Sequence, residues 1–153
     1  MSVSKSSIQG LAFALTVARA AAAPVIDSDI AEAVFRYQFA HNESMAQSGV
    51  DVYCVAYVLP GESNLNPPAE LIARLSGGKP QVVEDSRCPC KTGVRNTAWI
   101  SFRINSVTCS DANTCQVEGG YYENPESASG NTYFVEKHDG NWVVTRDEMH
   151  WIS

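Results

Sequence analysis

The residues best placed to do chemistry lie near the C-terminal end of the chain. Tyr133, Arg146, Glu148 and His150 fall on two strand-like runs, 131–138 and 141–152, and Arg103 stands in the run before them. An arginine fork holds a carboxylate through two parallel hydrogen bonds, and a histidine beside a glutamate holds or moves a proton. The two runs join at Asp139-Gly140, a dipeptide that favours a two-residue hairpin turn because both positions accept a positive φ. Such a turn sets His138 opposite Asn141, Val135 opposite Val144 and Tyr133 opposite Arg146. Without a bulge, Tyr133, Arg146, Glu148 and His150 share one face and, with Arg103, form the polar end of a ligand pocket. The competing reading makes Arg146–Glu148 a surface ion pair and leaves His150 satisfying a neighbour.

No residue is assigned to catalysis. A Gly-x-Ser-x-Gly elbow is missing, and Gly77-Gly78 and Gly119-Gly120 lack the strand-to-helix spacing of a phosphate loop. Gly119-Gly120 reads instead as a bend or bulge that lets a sheet curl. His41, His138 and His150 are too widely spaced for a dedicated zinc site, so neither metal nor cofactor is expected.

Five cysteines follow residue 50: Cys54, Cys88, Cys90, Cys109 and Cys115. Cys109 and Cys115 bracket the turn-rich Ser-Asp-Ala-Asn-Thr between two strand-like runs, which predicts a disulfide between them. Cys54 then pairs with Cys88 or with Cys90, and one thiol is left over. The alternative, a redox or metal motif at Cys88-Pro89-Cys90, has one intervening residue where redox sites usually have two, and no second cluster of ligands.

These cysteines suit an oxidising compartment, and the first residues agree. Residues 1–23 carry Lys5, an apolar stretch from Ile8 to Ala18 and the small residues Ala20-Ala21-Ala22-Ala23, the pattern of a cleavable signal peptide. Pro24 moves the expected cut one or two residues earlier. The stretch is too short to span a bilayer comfortably. The expected location is exported, periplasmic or extracellular, with residues 24–153 as a single domain. The alternative is a buried N-terminal helix in a cytoplasmic protein. With 11 Lys+Arg against 17 Asp+Glu and a net charge of −6, a sequence-independent grip on nucleic acid is excluded as an expectation.

The remaining pattern supplies the scaffold. A helix is expected from about Ser28 to Asn42, capped by Asp27 or Ser28 and apolar around most of its circumference. Val50 to Leu59 reads as a strand covered on both faces, Ala69 to Leu75 as a short helix after Pro67-Pro68, and 81–83 as a short strand. Residues 84–93 read as a loop tied down by cysteine. From Thr97 onward everything reads as antiparallel sheet, with Ala98, Ile100, Phe102 and Ile104 on one face and Trp99, Ser101 and Arg103 on the other. Helices before strands argue for an α+β fold: a curved antiparallel sheet of five to six strands with two helices packed on one face.

That order of elements resembles the cone-shaped NTF2-like (cystatin-like) fold. Gly119-Gly120-Tyr121-Tyr122, Ser127-Ala128-Ser129-Gly130-Asn131, Gly140-Asn141-Trp142 and the closing Trp151-Ile152-Ser153 are similar to stretches of small uncharacterised exported bacterial proteins. This likeness implies location and fold and carries no catalytic residues. The function expected is a non-catalytic module holding a small apolar or amphipathic ligand. Its rivals are a protein-interaction or dimerising module using the sheet face, and a small pocket isomerase or hydrolase drawing on Asp147, Glu148, His150 and Tyr133.

Overall fold

The computed structural model describes residues 25–42, 44, 49–61 and 63–153. The signal-peptide segment, residues 1–23, lies outside the described residues. The first element, α1 (Ser28–His41), starts where the Asp27 carboxylate accepts hydrogen bonds from the amides of Asp29 at 2.8 Å and Ile30 at 3.4 Å. These amides have no partner within the helix, so a carboxylate at that position satisfies them. Ile30, Ala31, Val34, Phe35 and Gln38 make its buried side.

Strand β1 (Val52–Tyr57) is buried at every position. Its even-numbered residues face one way and its odd-numbered residues the other, so both faces are covered. Helix α2 (Ala69–Leu75) follows and buries Leu71 and Leu75 with α1. Then come β2 (Gln81–Glu84), a single 3₁₀ turn at Asp85–Arg87, and the one-turn α3 (Pro89–Thr92). The region expected as loop therefore holds two short turns of helix. Four long strands close the chain: β3 (Trp99–Cys109), β4 (Thr114–Asn124), β5 (Ser127–His138) and β6 (Asn141–Ile152).

The fold is α+β, with one six-stranded sheet in the order β2-β1-β3-β4-β5-β6. The sheet is mixed rather than antiparallel throughout, which corrects the expectation. β1 runs parallel to both β2 and β3, and only β3 to β6 form antiparallel hairpins. The reason is the connections: residues 58–80, including α2, return the chain so that β2 starts at the same end as β1. Among the described residues there are also three α-helices rather than two.

The main core lies on the α1 side, where Tyr53, Val55, Ile100, Phe102, Ile104, Val117 and Val135 pack against Val34 and Phe35. Each fully buried aliphatic or aromatic side chain here contributes about 1.5–3 kcal/mol. A smaller cluster on the opposite face joins Val52, Cys54, Val83 and Cys88, with Trp99 against it. It is stapled by a disulfide between Cys54 and Cys88. A second disulfide, Cys109–Cys115, closes the β3–β4 hairpin as expected. Cys90 is a free, exposed thiol. Among the described residues no helix is long and apolar enough to cross a membrane.

Candidate functional site

The β5–β6 hairpin decides which side chains meet. At the turn the expected register holds: His138 faces Asn141 and Val135 faces Val144. The next pair is Phe134 with Arg146, because Thr145 is an extra residue on β6. Tyr133 therefore stands opposite Asp147 rather than Arg146. A bulge puts two residues against one and reverses the phase of everything beyond it. A second irregularity at His150 brings Trp151 opposite Gly130.

The five candidate residues are consequently divided between the two faces. Tyr133 points to the α1 side, is 4% exposed, and has its phenol pushed well above the ordinary tyrosine range, first by burial. There it neighbours a closed polar cluster. The Tyr37 hydroxyl donates to Asp147 Oδ1 at 2.9 Å, and Asn131 Nδ2 donates to Asp147 Oδ2 at 3.2 Å. Burial and the Asp147 hydrogen bond raise the Tyr37 phenol to about 12. The space beside this cluster is about 30 Å³, enough for about one water molecule and too small for an organic ligand. Arg146 and Glu148 lie on the opposite face as an exposed ion pair, with the guanidinium stacked on the Phe134 ring at 3.7 Å.

Arg103 and His150 do come together, on the face away from α1. They line an open groove of about 690 Å³ that runs across β3, β4, β5 and β6. Its base follows the strand register: Arg103 beside Gly120, and Gly130 beside Trp151. Pro60 and Gly61, from the connection after β1, form a wall near Arg103.

Glycine is required in this base. A Cβ on Gly119 would collide with the Arg103 carbonyl, and one on Gly120 with the Ser129 carbonyl. The neighbouring strands press in on this pair from both sides. On Gly130 a Cβ would meet the Trp151 indole instead. Behind the sheet, Gln38 of α1 uses the gap at Gly119 and donates from Nε2 to the Arg103 carbonyl at 3.1 Å.

Two chemical groups project into the groove. The Arg103 guanidinium lies 5.2 Å from the Tyr122 ring centroid, a cation–π arrangement. Its Nε is buried and finds no hydrogen-bond partner, and no carboxylate among the described residues pairs with the guanidinium. His150 belongs to a short relay: the Thr132 hydroxyl donates to Glu118 Oε1 at 2.7 Å, and His150 Nε2 lies 2.5 Å from that hydroxyl. The groove thus presents a guanidinium suited to an anion at Arg103 and an imidazole beside the Thr132–Glu118 pair at His150.

Sequence reasoning missed Tyr122, Thr132, Glu118 and Gly130 as neighbours of these groups. The pairing of β3 with β4 and of β4 with β5 was the signal needed; the first is closed by the Cys109–Cys115 hairpin and the second by the Asn124-Pro125-Glu126-Ser127 turn. Among the described residues no group of three or more His, Cys, Asp or Glu is placed to hold a metal ion. Compared with known proteins, the chain matches no family model, and no curated protein or solved structure is significantly similar to it.

Proposed function

We propose that the chain is an exported, non-catalytic module that binds a small amphipathic ligand in the groove across β3 to β6. The observation that carries this reading is the Arg103 guanidinium, whose buried Nε has no hydrogen-bond partner among the described residues, inside a groove of about 690 Å³. That size matches small-molecule sites, and a buried donor such as the Arg103 Nε is costly to leave unmet unless something else meets it. Two disulfides and the Lys5-to-Ala23 pattern support export. The packing of α1 across one face of the sheet supports a relation to the NTF2-like cone. In this version the inner face is filled by Phe35, Phe102 and Tyr133, and the ligand takes the outer one.

Native mass spectrometry of the protein from its exported fraction tests the reading. The expected species is a monomer carrying a non-covalent adduct that is lost on denaturation, with a chain beginning at Ala22 or Ala23. A bare monomer with no ligand, together with no binding to any small-molecule panel, overturns it.

A second reading rests on β6, an edge strand whose Val143, Met149 and Ile152 are 44%, 46% and 54% exposed. Exposed apolar residues on an unpaired edge suit pairing with a second copy. A clean dimer without ligand in the same spectrum selects it.

A further inference from the structure

We infer that the groove selects a flat organic monocarboxylate, its carboxylate seated on Arg103 and its ring laid along the glycine base toward Trp151; this rests on the binding reading above. Three observations fix the chemical class.

The first is charge. Arg103 has a planar fork of donors, a buried Nε without a hydrogen-bond partner, and no carboxylate among the described residues within ion-pair distance. Such a fork matches the two oxygens of a carboxylate. Glu118 lines the same groove and the chain as a whole is acidic, so a doubly charged anion such as a phosphate monoester meets repulsion that a monocarboxylate largely avoids.

The second is shape. Gly120 and Gly130 leave the base without side chains, and the indole of Trp151 already lies against Gly130. An aromatic ring of the protein itself thus occupies one end of this base. The stretch between Trp151 and Arg103 offers a ligand the same backbone surface.

The third is the pair of walls. The Tyr122 ring stands beneath Arg103 and the exposed Trp151 indole closes the far end. Aromatic walls favour a ring over an alkyl chain because ring-to-ring packing adds to area burial.

The test uses three probes on the full chain: 2-naphthoate, its uncharged counterpart 2-naphthamide, and decanoate as a flexible carboxylate. Calorimetric titration is expected to show one 2-naphthoate per chain, bound at least about tenfold tighter than 2-naphthamide, the discrimination expected of a charge-assisted pair. The variant Arg103→Gln is expected to abolish that ratio, and Arg103→Lys to keep part of it. Equal binding of 2-naphthoate and 2-naphthamide to the unaltered protein overturns the carboxylate anchor while leaving a binding module standing. Decanoate binding as tightly as 2-naphthoate overturns the flat-ligand assignment. Absence of saturable binding by all three overturns the proposal outright, and the binding reading falls with it only if the exported protein is also bare. Should Arg103→Gln fail to fold, the naphthoate-to-naphthamide ratio on the unaltered protein decides alone.

Discussion

The indole of Trp151 rests on the α-carbon of Gly130, in the space that any larger residue's Cβ would fill. The contact explains why the penultimate strand carries a glycine in its interior, where glycine otherwise weakens a sheet. It also separates two glycines that look alike in sequence.

Alanine at position 120 meets main chain on β5, which cannot yield without moving the sheet. Gly120→Ala is expected to cost about 1–3 kcal/mol, the usual penalty for overpacking. Alanine at position 130 meets a half-exposed side chain that can swing away. Gly130→Ala should cost less than about 1 kcal/mol while shifting tryptophan emission to longer wavelength. Urea unfolding with fluorescence detection reads both; equal costs at the two positions contradict the account.

The hydroxyl of Tyr57 is buried and has no hydrogen-bond partner among the described residues. Removing a desolvated, unpaired hydroxyl relieves a penalty, so Tyr57→Phe is expected to raise stability by about 1 kcal/mol. A loss of stability in the same unfolding assay means the hydroxyl is satisfied in solution.

Alkaline pH should unfold this protein earlier than carboxylate chemistry suggests. Burial raises the phenols of Tyr37 and Tyr57 to about 12 and that of Tyr133 further. In the unfolded chain they release protons from about pH 10. Between about pH 10 and 12 the unfolded state therefore binds fewer protons, and stability falls as pH rises. The stabilisation is whole below about pH 10. Denaturant midpoints measured across that range are expected to drop, less steeply in Tyr57→Phe. A flat profile would show that these phenols ionise normally in the folded protein.

The two disulfides should differ in worth. Cys54–Cys88 spans 34 positions and Cys109–Cys115 spans 6. Loop-closure entropy gives about 4 kcal/mol for the first and about 2 kcal/mol for the second. Cys54→Ala/Cys88→Ala is expected to be the more destabilised double variant by chemical denaturation. In the unaltered protein, one equivalent of iodoacetamide should label Cys90 alone, slowly, because burial and the nearby Asp85 raise its thiol pKa.

The exposed Arg146–Glu148 pair offers a contrast with Arg103. Both side chains are about half exposed, and such pairs contribute about 0–1 kcal/mol. Arg146→Ala should leave 2-naphthoate affinity unchanged and shift stability by less than about 1 kcal/mol. A loss of binding would move the anion site from Arg103 to the rim.

What the sequence discloses and what it withholds follow one physical line. Periodicity and capping are local, so α1, α2 and the strand runs could be read from Asp27, Pro67-Pro68 and the alternation around Phe102. The Asp139-Gly140 turn fixed the first pairs of the last hairpin for the same reason. Bulges at Thr145 and His150 depend on how β6 must bend to stay paired with β5, and no residue type announces them. One extra residue at Thr145 was enough to send Tyr133 inward and leave Arg146 outside. The parallel placement of β1 is equally non-local, because it depends on where residues 58–80 return the chain. The strand expected from Asn131 starts four residues earlier, at Ser127, because these residues pair with β4.

A β-sheet ordinarily insulates what lies on its two sides. Here the missing side chain of Gly119 opens a window, through which Gln38 on the helix holds the backbone of the very residue that presents its guanidinium on the far side. Helix and groove are thus mechanically one part. A change on α1 that never touches the groove, such as Gln38→Ala, removes a hydrogen bond from the backbone that carries Arg103.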